Sequence, residues 1–84
     1  MPTADDDTAA GQIRAALAER GAGKTVCPSE IARRLAGADG DWRSRMSDVH
    51  AAVDALFAAG QVALCWKGRA MSGRQGPYRI RLPQ

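Results

Sequence analysis

The sequence is poor in the residues on which enzymes and metal sites depend. It holds one histidine, His50, and two cysteines, Cys27 and Cys65, which are too few and too far apart for a metal cluster. Nucleophilic catalysis needs an adjacent base and a group that orients it, and no local stretch supplies both. The glycines near the C-terminus do not lie between a strand and a helix, so no phosphate-binding loop is indicated. We predict a protein that is not an enzyme and uses no cofactor or metal.

Long apolar runs and targeting signals are also missing. Residues 1–10 are acidic and lack an apolar core, unlike a secretory signal. The longest apolar runs are far shorter than a membrane span. We therefore expect a cytoplasmic protein with reduced thiols and no membrane partner. Cys27 lies at a predicted helix N-terminus, where a thiol pKa can fall, so a redox-sensing role stays open beside the favoured interpretation as an inert thiol.

The distribution of charge is the first positive indication of a function. The formal net charge is +3, and it rises to +6 when the three aspartates of residues 5–7 are set aside as part of a tail. Residues 61–84 contain five basic side chains and no acidic one. Such asymmetry indicates an anionic partner, although a high arginine content can also serve solubility alone.

Apolar spacing and end signals predict three helices. Thr8 can cap a first helix that runs to about Arg20. Pro28 suits the first turn of a second helix, after a short extended stretch at residues 24–27. The third helix, residues 42–59, carries apolar side chains at spacings of three and four. Its predicted apolar face is formed by Trp42, Met46, Val49, Val53, Leu56 and Phe57.

The third helix has predicted ends, and its flanks bear on function. Asp41 is the predicted side-chain cap, and Gly60 is the predicted terminator. His50 lies at the margin of the apolar face, where a satisfied boundary histidine is favoured over a general base. Asp48 and Asp54 lie on the exposed side, where they would repel DNA. Only the first turn of this helix is therefore favourable to phosphate.

Two alternating runs after the third helix predict an antiparallel hairpin. Residues 61–67 form the first strand and residues 78–82 the second, with Pro77 at the opening of the second strand. Residues 68–76 between them are rich in glycine and positive charge and form the predicted wing, in which Met71 has no assigned place in the core. The side chains predicted to face inward are Val62, Leu64, Trp66, Tyr78, Ile80 and Leu82.

The order of helix, short strand, two helices and hairpin is typical of a winged helix. We predict one α+β domain over residues 8–84. It is a winged helix-turn-helix with three helices and a short antiparallel sheet that ends in a C-terminal β-hairpin wing. Residues 1–7 are predicted to be a disordered acidic tail.

The predicted architecture favours binding of duplex DNA. A winged helix offers its third helix to the major groove and its wing to the backbone, as a transcription regulator does. The alternative is a protein-interaction module or homodimer without nucleic-acid binding, because the chain has no asparagine and the third helix no glutamine. No small-molecule substrate is indicated. The candidates for the groove are Arg43, Ser44 and Ser47, and those for phosphate are Lys24, Arg33, Arg34, Lys67, Arg69 and Arg74.

Three segments resemble a family of small uncharacterised bacterial proteins. They are CPSEIAR at residues 27–33, WRSRM at residues 42–46 and GPYRIRL at residues 76–82, and the resemblance extends over about residues 11–82. The family has a predicted winged-helix fold and is a domain of unknown function. The resemblance therefore implies the fold and transfers no activity or binding residue.

Overall fold

Local capping explains where the first two helices begin and end. The computed structural model describes residues 8–38 and 40–83. The side chain of Thr8 accepts a hydrogen bond from the Gly11 N–H at 3.0 Å, as predicted. Pro28 occupies the first turn of the second helix. The elements in chain order are α1 (Ala9–Arg20), β1 (Thr25–Val26), α2 (Pro28–Ala36), a 3₁₀ turn (Trp42–Arg45), α3 (Met46–Ala58), β2 (Ala63–Trp66), β3 (Arg69–Met71) and β4 (Arg79–Arg81).

The third helix differs from its prediction at its start. Trp42–Arg45 forms a 3₁₀ turn, and the α-helix begins only at Met46. Asp41 makes no side-chain capping hydrogen bond, so that prediction is wrong. The Ser44 hydroxyl donates to the Asp41 carbonyl oxygen at 2.8 Å and so occupies an acceptor of the first turn. Tight 3₁₀ turns of this kind are common at helix N-termini.

The four strands form one antiparallel sheet in the order β1-β4-β2-β3. The predicted pairing of the two alternating runs is confirmed, because Leu64 lies opposite Ile80. Ile80 also faces Val26, and Leu64 also faces Met71, so four apolar side chains form one row across the sheet. Met71 packs against the core through this row and so has a core position that its sequence did not indicate.

The wing is built differently from the predicted loop. Lys67 and Gly68 form a two-residue turn between β2 and β3, with φ of 52° and 80° respectively. Two consecutive left-handed residues are typical of a type I′ turn, which suits the twist of the strands. The wing is therefore a tight hairpin, and a second loop then leads from Met71 back to β4.

The predicted inward position of Trp66 is wrong. Trp66 is 38% exposed, although it alternates with the buried Leu64. The pairing of β2 with β4 ends at Cys65 opposite Arg79, so Trp66 extends beyond the last residue that β4 covers. Its strand partner is Arg69 in the hairpin. The side chain thus leaves the core because the sheet is only two strands wide at this end.

The core lies between the sheet and the three helices. Within the described ranges no polar or charged side chain is buried there, apart from the tyrosine. Within residues 8–38 and 40–83, no helix is long and apolar enough to cross a membrane. The predicted tail, residues 1–7, lies outside the described residues. The buried side chains are Ile13, Ala16, Leu17, Val26, Ile31, Ala32, Val49, Val53, Leu56, Val62, Leu64, Tyr78 and Ile80.

The hairpin turn allows a direct test of the wing. Replacing Gly68 with alanine should lower the free energy of unfolding by about 1 kcal/mol, because an L-residue is strained in the left-handed region. A Cβ at Gly68 meets no atom within 4 Å, so the loss reports backbone conformation alone. Urea unfolding followed by circular dichroism measures it. Gly73→Ala is the control, since Gly73 has no positive φ and equally open space; equal losses in both variants would contradict the turn assignment.

Candidate nucleic-acid interface

Two arginines lie over one tryptophan at the start of the third helical segment. Trp42 opens the 3₁₀ turn and packs half-buried against the core. The guanidinium carbon of Arg33, on α2, lies 4.6 Å from the ring centroid, and that of Arg43 lies 4.5 Å from it. Both arginines are exposed, and neither forms an ion pair with any described residue. The ring therefore holds two cations that no described carboxylate neutralises.

The two serines predicted for the groove differ in availability. Ser44 is exposed, but its hydroxyl proton is donated to the Asp41 carbonyl. Ser47 lies in the first turn of α3, is exposed, and makes no hydrogen bond to the described part of the chain through its side chain. Only Ser47 thus offers an unoccupied hydroxyl on this segment.

Arg34 is neutralised by two glutamates, whereas its neighbour Arg33 forms no ion pair with the described residues. Its Nη2 lies 2.8 Å from Glu19 Oε1 and 3.7 Å from Glu30 Oε2. The hydrogen bond to Glu19 raises the pKa of Arg34 and lowers that of Glu19. Glu30 also pairs with Arg20 of α1. Arg34 therefore joins α2 to α1 and is a weak candidate for phosphate.

Arg74 forms a bidentate pair with Asp54 on α3. Its Nε lies 3.0 Å from Oδ1, and its Nη2 lies 3.1 Å from Oδ2. The hydrogen bond from Arg74 lowers the pKa of Asp54 below its usual value. The carboxylate that was expected to repel DNA is thus neutralised, and Arg74 is occupied. The pair also fixes the second loop of the wing against α3.

The remaining candidate cations lie at two ends of the sheet. Lys67, in the hairpin turn, and Arg69, which lies opposite Trp66, are exposed and form no ion pair with the described residues. Lys24 is also exposed, but it precedes β1 at the opposite edge of the sheet. The strand register places Lys24 level with the start of β2, about 16 Å along the strand from Lys67. Lys24 is therefore separated from the hairpin tip.

Three further arginines are held closer to the interior than their sequence positions indicate. Arg79 and Arg81, which alternate along β4 with the inward-facing Ile80, are half-buried, and Arg79 Nε donates to Thr25 Oγ1 at 2.6 Å. The Nε atoms of Arg45 and Arg81 are buried and have no hydrogen-bond partner among the residues that the structure describes. Alternation along β4 could not reveal this, because it reports the face of the sheet and not the depth of the side chain.

An apolar groove of about 290 Å³ connects the hairpin to the start of α3. Trp66 forms one wall and Met46 another, and Pro28 and Pro77 add apolar surface. Because Met46 directly follows the 3₁₀ turn, the hairpin tip and the start of α3 lie on the same side of the molecule. The full lining is Cys27, Pro28, Ser29, Met46, His50, Trp66, Gly76, Pro77 and Tyr78.

His50 and Tyr78 form the polar edge of this groove. His50 Nδ1 lies 2.7 Å from the Tyr78 hydroxyl, so the predicted satisfied boundary histidine is confirmed. Burial lowers the pKa of His50, and the nearby charge of Arg74 lowers it further. Burial raises the pKa of Tyr78 to about 12. The pair is therefore neutral at physiological pH and belongs to the packing of α3 on β4.

Cys27 faces the same groove as a free thiol. Burial acts to raise the pKa of Cys27, but the neighbouring Ser29 hydroxyl and the backbone N–H groups of the first turn, together with the charge of Arg79, lower it overall. Its Sγ lies 3.1 Å from Ser29 Oγ and does not cap α2. No group of three or more potential ligands within residues 8–38 and 40–83 is placed to hold a metal ion.

The single tyrosine gives a pH prediction with a definite sign. Its folded pKa of about 12 lies above the ordinary value of 10, so the unfolded chain loses the proton first. The stability from neutral Tyr78 is complete below pH 10 and is lost as the pH rises from 10 towards 12. Titration of phenolate absorbance should give a midpoint near pH 12 for the folded protein. The protein in concentrated urea should titrate near its ordinary value, and identical midpoints would contradict the buried hydroxyl.

Three helices, an antiparallel sheet and a hairpin beside the start of the third helix define a winged helix. The chain belongs to the family described as "Protein of unknown function (DUF3253)", whose model matches residues 6–83. This match confirms the resemblance drawn from the three segments. No curated protein matches the chain. The family assignment therefore supplies no activity.

Proposed function

We propose that this domain binds duplex DNA and catalyses no reaction. The start of α3 enters the major groove, and the hairpin tip contacts phosphates beside it. Such a protein would act in the cytoplasm with both thiols reduced. The interface consists of Arg33, Arg43, Ser47, Lys67 and Arg69.

A contrast among the basic side chains carries the proposal. Arg20, Arg34 and Arg74 are each neutralised by a glutamate or aspartate. Four other cations are exposed and form no ion pair with the described residues: Arg33 on α2, Arg43 in the 3₁₀ turn, and Lys67 and Arg69 at the hairpin tip. Unpaired guanidinium and ammonium groups can form charge-assisted hydrogen bonds with phosphate and release its counterions. These four cations lie on the elements that a winged helix applies to DNA, whereas Lys24, which is also exposed, lies at the opposite edge of the sheet.

A salt series with charge-reversal variants tests the proposal. Anisotropy of a labelled random duplex should give a log–log salt slope of about −3 to −4, because four cations each contribute about −0.9. Arg43→Glu and Arg69→Glu should each weaken binding about tenfold at low salt. Lys24→Glu is the matched control, since it changes the net charge equally but lies away from the interface. No binding at low salt, or equal losses in all three variants, would overturn the proposal.

A partner-binding module is a second candidate, and the apolar groove favours it. Trp66 is the one large hydrophobic side chain that is exposed in the described part of the chain. The charge of Arg79 acts on Cys27 in this groove, and Lys67 directly follows Trp66 along the chain. The partner that fits is a segment with one apolar side chain flanked by acidic residues.

Calorimetry with designed peptides separates this candidate from DNA binding. A short peptide with leucine between aspartates should bind the wild type, and the same peptide with lysines in place of the aspartates should not. Trp66→Ala should abolish the binding while it preserves the fold, because Trp66 lies outside the core. Failure of the acidic peptide to bind removes this candidate and leaves the DNA proposal unaffected.

A further inference from the structure

The exposed face of α3 carries almost no side chain that can read bases. Base edges in the major groove are read chiefly by arginine, lysine, asparagine and glutamine. None of these four residue types occurs in Met46–Ala58. The exposed positions of the helix are Ser47, Asp48, Ala51, Asp54, Ala55 and Ala58. The Asp54 carboxylate is paired with Arg74, so the polar groups that this face can offer to a base are the Ser47 hydroxyl and the Asp48 carboxylate.

The 3₁₀ turn before α3 does not supply the base-reading side chains that α3 lacks. The Ser44 hydroxyl is donated to the Asp41 carbonyl, and the Arg43 guanidinium is held over the Trp42 ring. A side chain that reads a base must extend into the groove and align both donors with the base edge. Arg43 instead lies against the protein surface, beside a second guanidinium from α2.

The two guanidiniums place two positive charges beside one tryptophan ring. The guanidinium carbons of Arg33 and Arg43 each lie about 4.5 Å from the Trp42 ring centroid. The distance between these two carbons is therefore at most about 9 Å. No described carboxylate neutralises either guanidinium, so both remain available to an anion. Phosphates along one DNA strand supply closely spaced negative charges, so each guanidinium can pair with a different phosphate of that strand.

We infer that the domain recognises the DNA backbone and not the base sequence, an inference that rests on the proposed DNA binding. Arg33 and Arg43 bind phosphates of one strand. Trp42 is the positioning residue that holds both guanidiniums, and the alanine-rich face of α3 enters the groove by shape alone. The substrate class is therefore duplex DNA of any sequence, and the protein does not select an operator.

Selection from a randomised duplex library tests sequence independence. After repeated rounds at low salt, no motif should be enriched, and the selected pool should bind within about threefold of random duplex. An enriched motif that binds more than about 100-fold tighter than random duplex would overturn the inference while the proposed DNA binding stands. Absence of any binding at low salt would overturn both together.

Salt slopes test the role of the arginine pair and of Trp42. Arg33→Gln and Arg43→Gln should each reduce the slope by about 0.9 and weaken all sequences equally. Trp42→Leu should also reduce the slope although it removes no charge, and Trp42→Phe should restore it, because a phenyl ring still holds a guanidinium. Urea unfolding confirms that each variant is folded at the assay temperature. Unchanged slopes in both glutamine variants, or in folded Trp42→Leu, would overturn the assignment.

Discussion

Replacing Ile80 with alanine should lower the free energy of unfolding by about 3 kcal/mol. Ile80 is fully buried at the centre of the sheet, between Val26 on one side and Leu64 on the other. Its removal leaves a cavity that two strands and the helices border, and the row across the sheet cannot close without moving both neighbours. A core of this size rarely supplies more than about 3–5 kcal/mol, so the variant should retain only about 0–2 kcal/mol and should unfold at very low denaturant concentration.

Denaturant unfolding followed by circular dichroism measures this loss. Leu82→Ala is the matched control, because Leu82 is only half-buried and follows β4 on the same face. The control should lose about 1 kcal/mol. Ile80→Val should lose a similar amount, since it removes one methylene group. An alanine variant as stable as the valine variant would mean that the central row does not form the core.

Local signals explain why the helices could be predicted. The Thr8 cap and the left-handed Gly60 after α3 involve contacts within a few residues, which the sequence shows directly. The pairing of β2 with β4 followed from alternation, because Leu64 and Ile80 must both face the same core. Fold class and core were therefore accessible without coordinates.

The edge strand β3 and the exposure of Trp66 could not be predicted from the sequence in the same way. β3 is three residues long, Arg69–Met71, and only Met71 is apolar with a bulky side chain, so no alternation marks it. The sequence Lys67-Gly68 was the one signal for a turn between β2 and β3. Because lysine rarely adopts a positive φ, the sequence instead predicts Lys67 as the last residue of the first strand. The exposure of Trp66 depends on where β4 stops covering β2, which is a property of the register.

The candidate site was predictable only as a set of exposed cations. Which of them are neutralised depends on partners far along the chain: Glu19 lies 15 residues before Arg34, and Asp54 lies 20 residues before Arg74. The stack of Arg33 and Arg43 on Trp42 likewise arises from the packing of α2 on the 3₁₀ turn. Tertiary structure thus reduces six candidate phosphate ligands to a smaller group with free charge.

The turn between α2 and the 3₁₀ turn should tolerate no side chain at Gly40. An ideal Cβ there would lie 2.0 Å from the carbonyl oxygen and 2.7 Å from the carbonyl carbon of Ala36. Both atoms belong to the backbone of the last turn of α2, so no rotamer change relieves the clash. Gly40→Ala should therefore displace the turn and lower the free energy of unfolding by about 2 kcal/mol. Gly73→Ala, with open space around its Cβ, is the control and should cost far less.

The same substitution should weaken DNA binding without changing any charge. Arg33 precedes the displaced turn and Trp42 follows it, so a shift of the backbone at Gly40 separates the guanidinium of Arg33 from the ring. We expect a salt slope reduced by about 0.9, as for the loss of one phosphate contact. Measurement at a temperature where the variant is folded isolates this effect from instability. A folded Gly40→Ala protein with an unchanged slope would show that the position of Arg33 does not depend on this turn.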